Sequence, residues 1–169
     1  MKLQTSLGLD TALRIVSLAL AAGRAEKMLP LTVVVLDVSG KIIASHSEDG
    51  SGLMRFDIAR GKAWGALGMG MSSRLIHDRL ATRPSFQAAL ATVADGQFVP
   101  VPGGVLVLRS GETVIGSVGV SGDSSEKDEY CAIVGIQGAK LQSEPKIPDE
   151  NWRGSSLSGH VGKASKQPS

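Results

Sequence analysis

A chain of 169 residues with 42% hydrophobic and 20% charged side chains suits one packed domain and leaves little room for two. A formal net charge of +2 gives no electrostatic case for nucleic acid or an anionic membrane, and 4% aromatics argue against a base-stacking platform. A single cysteine excludes an internal disulfide, and 21 glycines stand well above the usual share of roughly 7%, so they need a structural reason.

From the N-terminus, Leu9, Leu13, Val16 and Leu20 recur at helical spacing, with Asp10 near the start. A helix is expected over residues 9–28, stopped by Pro30. No basic segment leads into an apolar run with a cleavage site, and the apolar stretch 13–22 is too short to cross a bilayer, so the expected location is the cytoplasm. The β-branched run 31–37 reads as a buried strand. Ser39-Gly40 turns it into a second strand over 41–46. A loop over 48–52 leads to helices expected at 56–70, 72–80 and 84–90, the last opened by Pro84. A short strand is expected over 97–101, and a second hairpin pairs 105–109 with 113–121. A final helix covers 125–141. These elements assemble most simply as an α+β sandwich with one antiparallel sheet of about five strands and helices packed on it. Residues 1–142 form the expected domain. Residues 143–169, rich in Pro, Ser, Gly and Lys, form an expected poorly ordered tail, weakly tethered by Trp152.

Four features bear on chemistry. Gly61, Gly65 and Gly68 share one face of the second helix, at roughly 1 kcal/mol of helix stability each. Close backbone packing and room for a flat ligand are the two candidate reasons, packing being favoured. Lys62 has no acidic partner along its own helix, so it is either a solvated lysine or, if desolvated, an anion anchor or base. The turn Gly119-Val120-Ser121-Gly122-Asp123 precedes a helix N-terminus, but Asp123, Glu126, Asp128 and Glu129 repel phosphate there and favour capping. Pro102-Gly103-Gly104 is either an edge-strand turn or a backbone wall for a ligand. Candidate iron ligands are few: His46, His77, His160, Met69 and Met71, with no second histidine at helical i+3 or i+4 spacing. Cys131 reads as a buried small hydrophobe.

The chain resembles the GlcG/HbpS-like family, which also takes in the C-terminal domain of PduO-type proteins. The likeness spans about residues 9–141. It rests on Val33-Val34-Val35-Leu36-Asp37-Val38-Ser39-Gly40, Asp49-Gly50, Ile58-Ala59-Arg60-Gly61-Lys62-Ala63 and Pro102-Gly103-Gly104. Its strongest block is Ile115-Gly116-Ser117-Val118-Gly119-Val120-Ser121-Gly122, followed by Asp128 and Ala132. The resemblance implies a profilin-like fold assembled into dimers or larger oligomers. Some members bind or degrade haem, and others stand beside catabolic or corrinoid enzymes. This chain departs from the pattern at Ser47, where the family often has arginine, and no histidine precedes His46 to match the first-helix haem ligand of some relatives.

Two functions follow as expectations. One is a small-molecule-binding protein, with haem as the implied cofactor, Gly65, Met69, Pro102, Gly103, Gly104 and Ser121 as ligand-binding residues and His46 or His77 as iron ligand. The other is a cofactor-free isomerase, lyase or hydratase acting on a small carboxylated metabolite. Lys62 would be its anion anchor or base, and Asp49 or Asp123 its second acid/base group. A structural oligomer with no small ligand would make the glycine stripe only an interface.

Overall fold

The structure, a computed structural model, describes Met1 and residues 4–157. The chain runs α1 (Leu9–Ala25), β1 (Thr32–Asp37), β2 (Ile42–Ser47), α2 (Arg55–Met69), α3 (Ser73–Leu80), α4 (Pro84–Val93), β3 (Gly104–Leu108), β4 (Val114–Ser121), α5 (Ser125–Gly138) and β5 (Gln142–Glu144). A short helical turn, Trp152–Gly154, follows. The strands form one sheet in the order β2-β1-β4-β3-β5, and every pair is antiparallel.

Period-two alternation along β1 divides the core between two faces. Val33 and Val35 join Val105, Val107, Val118 and Val120 beneath α1 and α5. Val34 and Leu36 point the other way, against Ala59 and Ala63 of α2. Helices therefore cover both faces, as the sandwich reading expects.

The buried stripe of α1 is not the leucine stripe that the periodicity suggests. Ala12, Ile15, Val16, Ala19 and Ala22 are buried, while Leu9 and Leu13 are exposed. Close helix–helix contact explains this. A side chain at Gly135 of α5 would meet the Ile15 carbonyl at 2.7 Å and the Ala19 Cβ at 2.9 Å, so where the two helices come closest there is no room for a larger residue at Gly135 or Ala19. The helix also ends before Met28, because Lys27 takes a left-handed conformation with φ of 55°.

The fifth strand lies elsewhere than expected. Residues 97–101 form no strand, because Pro100 and Pro102 have no N–H to donate to a ladder. That segment lies along α2 instead. Val99 N–H donates to the Gly61 carbonyl at 3.4 Å, and Arg60 bonds the Gln97 side chain. The edge position is taken by β5, whose Gln142, Ser143 and Glu144 pair with Leu108, Val107 and Leu106. Ser143 and Glu144 of β5 and the buried Trp152 fall within the stretch expected as tail. Trp152 stacks on Tyr130 with ring centroids 3.7 Å apart, which supplies apolar burial that composition alone does not reveal.

Candidate functional site

Two regions, one polar and one apolar, gather most of the candidate residues, though not Asp49, His46 or His77. The polar region exists because α2 presses directly on the sheet. A Cβ at Gly119 would collide with the Ala59 carbonyl, and one at Gly104 with the Lys62 carbonyl. Ser117 Oγ donates to the Ala63 carbonyl at 2.9 Å and fixes the helix in register. This approach carries Lys62 past the ends of β3 and β4, toward the opposite helical layer.

Lys62 is only 2% exposed. Its Nζ donates to the Val120 carbonyl at 3.0 Å and to Asp128 Oδ2 at 2.8 Å. Gly103 walls the ammonium: at its φ of +118°, a Cβ would sit 2.9 Å from Nζ. Asp128, on α5, also accepts the Asp123 N–H on Oδ1 at 3.1 Å. Burial raises the Asp128 carboxyl above its ordinary value, and the Lys62 ammonium opposes that rise. The pair is a hydrogen-bonded charge tie between helices on opposite faces of the sheet. Its partial satisfaction by backbone makes so deep a burial tolerable.

Around this tie lie several of the expected residues. Asp123 accepts the Leu29 N–H at 3.0 Å and the Ser124 N–H at 2.8 Å, with Lys127 Nζ at 3.4 Å. Burial raises its carboxyl, but these donors outweigh burial and hold it below the ordinary value. Ser121 is buried and its Oγ accepts from Arg55 at 3.3 Å. Ser73 Oγ accepts the Gly104 N–H at 2.7 Å and lies 3.2 Å from the Gly104 carbonyl. Pro102 is half-buried beside Gly103. Asp49 is exposed on the loop before α2, with no hydrogen bond or ion pair to this seam.

Glu129 is the next residue along α5 and has the opposite circumstances. It is 0% exposed, and neither carboxylate oxygen has a hydrogen-bond partner among the described residues. Arg74 Nε approaches Oε1 at 3.4 Å. Burial pushes the Glu129 carboxyl up to about 7; Arg74 opposes this, and Asp149, Glu144 and Glu126 add to it.

The apolar region is a cleft of about 130 Å³ between α2 and α4, lined by Trp64, Gly65, Gly68, Met69, Leu90, Val93, Ala94 and Phe98. The glycine stripe resolves into two roles here. A Cβ at Gly61 would meet Val99 at 2.6 Å and one at Gly65 would meet Phe98 at 3.0 Å, so both serve packing. Gly68 has nothing within 4 Å and faces open space. A larger open depression of about 520 Å³ lies elsewhere, lined by Glu126, Asp149, Glu150, Asn151, Gly154 and Ser155. Its three carboxylates suit no anionic ligand.

The histidines stay apart from the cleft. His46 is exposed on edge strand β2, in register with Val33 and hence on the α1 side of the sheet. His77 is exposed on α3, with Nδ1 3.2 Å from Asp78. His160 lies outside the described residues. Cys131 is buried with its sulfur 3.4 Å from that of Met28, and burial pushes its thiol up, so it is inert. Among the described residues no group of three or more His, Cys, Asp or Glu is arranged to hold a metal ion. Nor, among them, is any helix long and apolar enough to cross a membrane.

Sequence reasoning left Asp128, Glu129, Trp64 and Phe98 without these roles. One signal was present: a lysine with no acidic neighbour on its own helix must find its partner on another element. The carboxylates opening α5 were the nearest supply in the strongest sequence block.

A five-stranded antiparallel sheet covered on both faces, with α2 seated on glycines of β3 and β4, defines an α+β sandwich of the HbpS type. The chain belongs to the family described as haem degrading protein HbpS-like, whose model matches residues 7–137. No curated protein matches it. Among solved structures it is similar to the PduOC:heme complex, with a TM-score of 0.73 and 23% identity over 82% of this chain and 98% of that one. A double mutant of HbpS from Streptomyces reticuli gives a TM-score of 0.68 and 26% identity over 82% and 90%. The protein ORFY of Klebsiella pneumoniae gives 0.71 and 23% over 83% and 94%.

Proposed function

We propose that this protein binds a flat, largely apolar small molecule of the haem class in the cleft between α2 and α4. One observation carries the reading: apolar walls from Trp64, Met69, Leu90, Val93 and Phe98 surround open space at Gly68. The family's description and the haem held by the PduOC relative favour the same class of ligand. Met69 is the cleft's own soft donor for iron, and methionine is a competent axial ligand. The cleft of about 130 Å³ is smaller than the roughly 300–1,000 Å³ that encloses a drug-sized ligand, so binding requires it to widen. Helix α4, none of whose residues is buried within its own chain, is the wall whose displacement would widen it.

Haemin titration followed by Soret absorbance tests this. The expected result is a saturable, stoichiometric shift that is lost in Gly68→Phe, which fills the open space, and altered in Met69→Leu. Full binding by Gly68→Phe would remove the cleft from the proposal.

A second reading draws on the meeting of an ammonium, a carboxylate and the Gly103-Gly104 backbone in one seam. It is cofactor-free proton-transfer chemistry on a small carboxylated metabolite, with the substrate taking the place of Asp128 at Lys62. A featureless haemin response, together with turnover of such a metabolite that is lost in Lys62→Arg and kept in Asp49→Asn, would move the assignment to that seam.

A further inference from the structure

Helix α4 is anomalous in this molecule. Its sequence, Pro84-Ser85-Phe86-Gln87-Ala88-Ala89-Leu90-Ala91-Thr92-Val93, holds no charged residue, yet none of its ten residues is buried. Phe86 is 41% exposed and Val93 84%. A helix this short is marginal in water without packing, and an uncharged exposed face marks an interaction surface. The charges flank it instead. Arg83 stands at the N-terminal end, its guanidinium over the Phe86 ring at 4.5 Å and in no ion pair with the described residues. Asp95 stands exposed just beyond the C-terminal end, likewise in no ion pair with the described residues.

We propose that α4 docks antiparallel on α4 of a second copy of this chain, about a two-fold axis passing at Ala89. The arithmetic of the sequence favours this occupant. Inverting the helix about position 89 sets Arg83 of each copy opposite the partner's Asp95, and Phe86 opposite the partner's Thr92 and Val93. Ala88 and Ala89 fall at the crossing, where small side chains let the helices approach. A two-fold interface needs a self-complementary patch, and a neutral apolar centre with opposite charges at its two ends is one. The interface stands whatever the adjoining cleft holds.

The test is sedimentation velocity on the full chain across micromolar concentrations, with circular dichroism to confirm folding. The wild-type chain is expected as a dimer or an even multiple, and Phe86→Glu should halve the particle mass with the same spectrum. Arg83→Glu and Asp95→Lys should each weaken association about ten-fold, by replacing two attractive rim pairs with repulsive ones, and the double variant should restore it. Lysine tolerates the left-handed backbone that Asp95 occupies, since Lys27 and Lys140 adopt φ of 55° and 63° in this same chain. A monomeric wild type, an unchanged mass in Phe86→Glu, or a double variant no better than the singles would each overturn the proposal.

Discussion

Helices α2 and α4 invert the usual relation between charge and burial. Helix α2 carries Arg55, Asp57, Arg60 and Lys62, yet Ala59, Gly61, Lys62, Ala63, Gly65 and Ala66 are buried. Helix α4 carries no charge, yet nothing in it is buried. The difference lies in what each helix meets. Glycines on β3 and β4 let the backbone of α2 settle onto the sheet, and a charged side chain inside that contact finds a carbonyl and a carboxylate. Helix α4 has no such bed within its own chain. Burial here follows backbone fit and partner supply rather than the hydrophobicity of the helix itself.

The sharpest way to break this comparison is to remove the charge that α2 buries. Lys62→Ala leaves Asp128 buried and unpaired and should cost about 3–5 kcal/mol, read from urea denaturation. Lys62→Met combined with Asp128→Leu should recover most of that loss. If Lys62→Ala proves neutral, the tie across the sheet is dispensable.

Glu129 offers the next largest effect. Its carboxyl rises from 4.5 to about 7 on folding, so the folded state holds a proton that the unfolded chain releases between those values. The corresponding stability, about 3 kcal/mol at most, is fully present below pH 4.5 and is lost as pH rises through about 7. Glu129→Gln should flatten the dependence of the urea midpoint between pH 5 and pH 8. An identical slope in the variant would assign it to other groups.

Third comes the glycine bed. Gly119→Ala puts a methyl group against the Ala59 carbonyl and should cost about 2 kcal/mol, the order expected for overpacking. Thermal unfolding gives the number, and no shift would mean that α2 is not seated as described. The smallest effect belongs to α4. Gln87→Lys on the exposed helix should change the stability of the single chain by less than about 0.5 kcal/mol in the same assay.

How much of this was legible beforehand follows the same division. Local signals placed the two hairpins and the order of the five helices, because β-branched runs, turn glycines and Pro84 act within a few residues of themselves. The glycines of α2 pointed to close packing, and Gly61 and Gly65 do receive Val99 and Phe98. The fifth strand was misplaced because a strand's partner is a long-range fact. Gln142 to Glu144 has no strand composition and pairs only because the β3 edge is open to it. The burial of Lys62 was invisible for a similar reason: its acceptor and counter-ion lie 58 and 66 residues further along the chain. The Leu stripe of α1 misled because a hydropathy pattern weighs side-chain size, whereas the contact with α5 selects for small side chains.

The stacking of Trp152 on Tyr130 leaves the protein with a convenient optical asymmetry. It has two tryptophans. One, Trp152, joins the core cluster beside α5, and the other, Trp64, lines the cleft on the far side of the sheet. Trp64→Phe thus yields emission that reports only the docking of the 142–157 segment, and Trp152→Phe yields emission that reports only the cleft. Superimposed denaturation curves from the two variants would mean that both faces of the sandwich melt in one step. An earlier transition from Trp152 would mean that the C-terminal segment peels away while α2 still sits on its glycines.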